Sequence, residues 1–243
     1  MPLHLTLLGH TDLTGDDGRR FDKVLAQPKR LALLAYLALG KAGRMHRRDS
    51  LLLLFWPESD DEHARGALSQ SLSFLRRELG DGVIATRGTE EVGIVEGAAD
   101  TDVARCDACI DAGDAERAVL LFGADLLVGF HLAGCNEFDD WLAAERLRVH
   151  ERAAKAARDL AKRSAETGTM SRATETAQAA LLLSPLDERA AHRLMLSYQR
   201  AGRPALAVHA YDAFRDRLRR ELGVQPSAEL QQLAEALRGT RSV

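Results

Sequence analysis

The sequence predicts a mainly α protein, an N-terminal α+β winged helix-turn-helix followed by an all-α tetratricopeptide-like helical repeat domain, and three observations carry that expectation. A one-sided helix with its own start signal runs over residues 57–79, between two shorter helices and a hairpin. The second half repeats itself at a spacing of 34 residues. Aromatic residues make up 5% of the chain against 46% hydrophobic, and the many Ala, Leu and Arg favour helix. With 243 residues and 28% charged residues, the chain has room and solubility for two modest globular domains, expected at 1–97 and 98–243.

Taken in order, LHLTLL at residues 3–8 alternates Leu with His and Thr and reads as a strand. Thr11 to Gly18 reads as a turn-rich acidic segment, followed by a second and third short strand to about Val24. Pro28 suits the first turn of a helix that runs through LALLAYLALG to a stop at Gly40. The segment KAGRMH is expected as a loop, and a second helix spans about Arg47 to Trp56 with Leu51, Leu54 and Phe55 inward. Pro57 ends it, and Ser59 with Glu62 makes the S-x-x-E box that starts a third helix near Asp60. In that helix Ala64, Leu68, Leu72, Leu75 and Leu79 recur at steps of three and four, so they form one stripe that must face a core. A turn at Gly80–Gly82 leads to VIATR and VGIV around the polar link GTEE, a hairpin signal.

The second half is almost wholly helical. Gly168 and Gly202 stand 34 residues apart, each followed five residues on by an alanine, Ala173 and Ala207. Leu160, Ala161, Ala180 and Pro185 in one unit, and Leu194, Tyr198, Ala207 and Tyr211 in the next, stand where the 34-residue pattern of helix pairs wants small or apolar residues. A more divergent copy centres on Gly113, Ala118 and Phe122. A long helix from Glu137 to about Glu166 opens with Phe138 and Trp141, and Pro226 with Ser227 starts a last helix that caps the stack.

The net charge of −3 conceals an uneven distribution. From Arg19 to Arg77 there are 12 Lys and Arg against 6 Asp and Glu, a local basic surface suited to phosphate. The outer face of the third helix carries Arg65, Ser69, Gln70, Ser73, Arg76 and Arg77, side chains that donate to phosphate oxygens or read base edges. Phosphate contacts are expected from Lys29, Arg30, Arg47, Arg48, Arg76 and Arg87, the last near the hairpin tip. Base contacts are expected from Gln70, Ser73 and Arg77, since Gln pairs with adenine and Arg with guanine in the major groove.

Several long motifs in a fixed order give the chain a family likeness: QPKRLALLAYLAL at 27–39, RRDSLLLLFWP at 47–57, AR-x-x-LSQSLSFLRREL at 64–79, EFDDWLAAERLRVHERA at 137–153 and the run HRLMLSYQRAGRPALAVHAYDAFRDRLRRELGVQPSAEL at 192–230. Through them the chain resembles the SARP-type (antibiotic regulatory protein) transcriptional activators, in which an OmpR-like winged helix precedes a bacterial transcriptional activator domain. The resemblance implies sequence-specific binding of double-stranded DNA at promoter direct repeats, as a homodimer, with the second domain assisting dimerisation and contact with RNA polymerase. It puts the recognition helix on Arg65 to Leu79 and the wing on Val83 to Val95. The wing departs from the family pattern, with Val92 and Gly93 where a Gly-Tyr pair is usual. Larger members add an ATPase module, but no G-x-x-x-x-G-K-[ST] occurs here, so no nucleotide switch and no cofactor are expected.

Competing readings are weaker. Cys106-x-x-Cys109 with His131-x-x-x-Cys135 has spacings that zinc accepts, yet Cys three apart in a helical pattern packs as a small hydrophobe, so no metal is expected. Asp139, Asp140, Glu145 and His150 lie on a long charged helix where ion pairs are ordinary, and with no nucleophile motif such as G-x-S-x-G an enzyme is not expected. Three cysteines fit a reducing compartment, and no apolar run approaches the ~20 residues of a membrane span. The Met1 region lacks a signal peptide, so a cytoplasmic location is expected. The remaining alternative is a tetratricopeptide-like interaction scaffold whose winged helix binds no DNA.

Overall fold

The computed structural model of the chain describes residues 2–40 and 43–239, so Lys41 and Ala42 of the expected loop lie outside the described residues. Among the described residues the protein is mainly helical with two small three-stranded sheets. It packs as two compact units, Met1–Ala108 with Leu121–Val149, and Cys109–Leu120 with His150–Val243. Residues 98–108 and 121–149 pack with the N-terminal elements.

In the first unit the order is β1 (Leu3–Thr6), β2 (Asp12–Gly15), α1 (Asp22–Leu25), α2 (Pro28–Ala38), β3 (Met45–Arg47), α3 (Arg48–Phe55), α4 (Asp61–Leu79), β4 (Ile84–Arg87), β5 (Glu91–Ile94) and β6 (Ala99–Thr101). β1 alternates as expected, with Leu3 and Leu5 buried, and pairs antiparallel with β2 and parallel with β6. The turn-rich segment at 11–18 thus contains a strand, and the strand expected up to Val24 is the short helix α1. Phe21 and Val24 are both buried and three apart, and the Val24 N–H donates back to the Phe21 carbonyl, so a helical turn buries both where a strand would split them between faces.

The Pro28 start of α2 holds, and the helix is buried on most sides through Leu31, Ala32, Leu33, Leu34, Ala35 and Leu37. What the sequence offers as the end of a loop is β3, which pairs antiparallel with β5 in the sheet β3-β5-β4. Three residues are too few to show an alternation, and the partner strand lies some 45 residues away. Gly93 makes the pairing fit: a Cβ there would run into the Arg44 carbonyl oxygen. The residue that departs from the family's wing pattern is thus required by the backbone of its neighbour. In α3, Leu51, Leu52 and Phe55 are buried and Leu54 is half-buried, so Leu52 takes the inward place assigned to Leu54.

β6 leads into α5 (Asp102–Asp111), whose first residue anchors the unit. The buried Asp102 carboxylate accepts hydrogen bonds from the backbone N–H of Leu7 (2.9 Å), Leu8 (2.8 Å) and Val103 (2.9 Å). Segment 121–149 closes over the same region. Leu127 N–H donates to the Leu7 carbonyl, and Arg146 donates to the carbonyls of Leu126 and Phe130. Within this unit Phe138 lies 5.2 Å from Phe55 and Trp141 lies 4.7 Å from Tyr36, ring centre to ring centre, so the expected Phe138–Trp141 cluster packs on α2 and α3.

The second unit holds α6 (Ala115–Leu121), the later part of α7 (Asn136–Thr167), α8 (Met170–Leu183), α9 (Glu188–Arg200), α10 (Pro204–Leu222) and α11 (Ala228–Gly239). Gly113, Gly168 and Gly202 each precede a helix by two residues, so the 34-residue spacing is that from the start of α8 to the start of α10. Gly202 has φ +68°, and a Cβ on Gly168 would meet the Ser164 carbonyl oxygen at 2.6 Å, so both turns call for glycine. α8 packs on α9, α9 on α10 and α10 on α11. Small residues pack at one end, Ala157 and Ala161 of α7 with Ala180 of α8 and Ala190 of α9, and Leu194, Met195, Tyr198, Tyr211 and Phe214 pack further on.

Candidate nucleic-acid interface

α4 presents two faces, as the spacing of its leucines requires. Ala64, Leu68, Leu72, Leu75 and Leu79 are buried, while Arg65, Gly66, Ser69, Gln70, Ser73 and Arg77 are exposed. Its start differs from the expected box by one residue. Asp60 is the cap, accepting from the His63 N–H at 3.0 Å, because an extended Asp60 caps as well as Ser59 would and puts His63 in place of Glu62 at the reciprocal position. That hydrogen bond, with the His63 ring 2.7 Å away, holds the Asp60 carboxyl below its ordinary range. No acid occurs from His63 to Arg77. The side chains of Ser69, Gln70 and Ser73 are exposed and take part in no hydrogen bond among the described residues.

The cations expected around that face divide into two groups. Arg48 and Arg76 line a shared recess with Asp81, Thr86 and Thr89, between the start of α3, the last turns of α4 and the hairpin. The Arg48 N–H donates to the Glu90 carbonyl, while its Nε is buried without a hydrogen-bond partner. Arg47 is exposed on β3, and Arg87 is exposed at the hairpin with Glu91 at 3.3 Å. The second group is engaged inside the unit. Arg65 pairs with Asp49 at 2.8 Å, Arg30 stacks on Phe74 at 3.9 Å, and Lys29 lies 5.5 Å from the Trp56 ring, whereas Arg77 stays exposed on α4, 5.4 Å from the Phe74 ring and with Glu78 at 3.7 Å. The structure thus brings Arg48, Arg76 and the hairpin together beside the open face of α4, and turns Lys29 and Arg30 toward aromatic rings. The sequence reading had no signal for Thr86 and Thr89, whose place in the recess depends on the hairpin's register.

The other clusters have structural employment. Cys135 donates to the Phe55 carbonyl at 3.3 Å, and burial pushes its thiol pKa up. Cys106 is buried and Cys109 half-buried on α5. Among the described residues no group of three or more His, Cys, Asp or Glu side chains is placed to hold a metal ion. Asp139 accepts from the Leu132 N–H, Glu145 pairs with Arg148 at 2.7 Å, and the His150 ring meets the Leu183 carbonyl at 2.7 Å. Burial lowers the pKa of His46, whose Nε2 has no hydrogen-bond partner and whose ring lies against Tyr36. Among the described residues no helix is long and apolar enough to cross a membrane.

The chain is thus mainly helical, with a basic-flanked helix in its first half and paired helices in its second. The family model described as bacterial transcriptional activator domain matches residues 97–238, more than half of the chain, so the chain belongs to that family and to the SARP-type transcriptional regulators its motifs resemble. The regulatory protein AfsR of Streptomyces coelicolor is 31% identical over 221 residues, and AfsR of Streptomyces griseus is 27% identical over 216 residues. Each alignment takes in 86% of this chain and 22% of the relative, so the chain spans about a fifth of the length of the curated relatives it matches. Among solved structures, EmbR of Mycobacterium tuberculosis, solved in complex with a low-affinity phosphopeptide, shares the fold with a TM-score of 0.67 at 21% identity, over 99% of this chain and 66% of that one.

Proposed function

We propose that the chain is a transcriptional activator in the cytoplasm that reads double-stranded DNA through a winged helix-turn-helix at residues 1–97. In this reading α4 enters the major groove and the β4–β5 hairpin lies beside it as the wing. Residues 98–243 form the activator domain, which assists dimerisation on promoter direct repeats and contacts RNA polymerase, as the family membership suggests. The observation that carries the proposal is the exposed, acid-free face of α4 from Gly66 to Arg77, flanked by the Arg48–Arg76 recess at the hairpin. Ser69, Gln70, Ser73 and Arg77 supply base contacts, Arg47, Arg48, Arg76 and Arg87 supply phosphate contacts, and Arg65, Lys29 and Arg30 act by holding the helices that carry them.

Selection of bound fragments from a random DNA pool, followed by anisotropy of the winner across a salt series, tests this reading. The expected result is a repeated motif bound far more tightly than scrambled DNA, with log affinity falling against log salt by about 0.9 per neutralised phosphate. A second reading rests on one feature of the second unit, the recess formed by Met170, Thr174, Gln178, Tyr198, Arg203 and Leu206, which suits an extended peptide. Absence of any enriched DNA motif, with retained binding of a protein partner, would favour that interaction scaffold.

A further inference from the structure

Gly66 is the one glycine in a helix interior among the described residues, since Gly239 ends α11. Glycine is among the least favourable residues there, so its presence asks for a cause. The molecule itself supplies none: a Cβ built on Gly66 meets no heavy atom within 4 Å beyond its chain neighbours and its own helix backbone, and its φ is not left-handed. Gly93 and Gly168, by contrast, are pressed against carbonyl oxygens, and Gly202 has a positive φ.

The cause therefore lies outside the chain, on the face where Gly66 sits. At 3.6 residues a turn Gly66 falls among Ser69, Gln70, Ser73 and Arg77, all exposed, and Gln70 stands one turn further along the helix. Gln is suited to adenine in the major groove. The pairing partner of adenine is thymine, whose C5-methyl is the apolar group that projects into that groove. We infer that Gly66 is a notch for a thymine methyl, in the A·T pair whose adenine Gln70 reads, and hence a specificity-determining position. The inference rests on the proposal that α4 is the helix that enters the major groove.

The test compares wild type with Gly66→Ala on the selected duplex and on duplexes in which each thymine of the half-site is replaced in turn by uracil. Uracil removes the methyl and keeps the pairing. Melting temperatures measured alongside report on the fold, and Gly66→Ala is expected to melt about 2 °C or more higher, since alanine favours helix. It should bind the thymine duplex at least about fivefold more weakly. At one uracil position it should recover most of that loss, while the wild type loses affinity there. Equal affinity of the two proteins, a loss recovered at no uracil position, or a lower melting temperature for Gly66→Ala would overturn the notch while leaving DNA reading intact. Failure of the wild type to enrich any sequence would overturn both.

Discussion

α4 and α10 are each 19 residues long and end in the same six residues, LRRELG at 75–80 and at 218–223, yet they are used differently. In α4 both leucines of the string are buried, Leu75 and Leu79, whereas in α10 Leu218 is buried and Leu222 is 58% exposed. The charged surroundings differ as well. On α4 no acid stands between His63 and Arg77, and Arg77 has Glu78 of the string itself at 3.7 Å, while on α10, ahead of the string, Arg215 is held by Asp212 at 2.9 Å and Asp216 at 2.8 Å, and Arg238 adds a further bond to Asp212. An identical string thus serves an open basic face in one helix and follows a self-neutralised surface in the other. What surrounds the string decides which, and neither its propensity nor its charge does so alone.

The sharpest way to break this comparison is to truncate the equivalent leucines. Leu79→Ala is expected to cost about 2–5 kcal/mol, as for a leucine removed from a packed core, whereas Leu222→Ala should stay within about 0.5 kcal/mol of wild type. Urea unfolding followed by circular dichroism measures both. Equal costs would mean that Leu222 is covered in solution and that the two helices are less different than their exposures indicate.

The second contrast concerns the arginines. Gln70→Ala with Arg77→Ala should relax sequence preference, by about 1–3 kcal/mol for each lost base contact. Arg47→Ala should weaken all sequences alike and lower the salt slope by about 1. Arg219→Ala with Arg220→Ala, at the matching positions of α10, should leave affinity and preference unchanged. Anisotropy on selected and scrambled duplexes reads all of these, and an equal loss from the α10 pair would show that the shared string, and not the setting of α4, makes the contact.

How much of this was legible follows from the range of each interaction. α4 and the helix pairs could be read because their signal is periodic over many residues: five apolar positions on α4, and glycines two residues before α6, α8 and α10. β3 and β6 could not, since each has three residues and finds its partner far along the chain. Asp102 gave no signal at all, because its meaning lies in the Leu7 and Leu8 amides about 95 positions away. Around the interface, the outward residues of α4 were legible from the helical period alone. The engagement of Arg65 by Asp49 and of Arg30 by Phe74 was not, because a sequence gives the charge of a side chain but not which neighbour takes it first.

The smallest expected difference lies at the other end of the two helices. α4 is capped by the Asp60 carboxylate, while α10 begins with Pro204 and has no side-chain cap. Hydrogen bonds from His63 hold the Asp60 pKa below its ordinary value, about 3.9 for an unperturbed Asp. A carboxyl with a depressed folded pKa stabilises the native state fully above the unfolded value, and that contribution disappears as pH falls through the folded one. Acidification below about pH 4 should therefore loosen the first turn of α4 through this group and leave the start of α10 without a corresponding change. Carbon-13 titration of the Asp60 carboxyl should give a midpoint below about 3.9. Asp60→Asn keeps an amide oxygen for the His63 N–H and should abolish that part of the pH dependence while retaining the cap. A midpoint at or above the ordinary value would show that the His63 bond is not kept in solution, and the two helix starts would then be equivalent in acid.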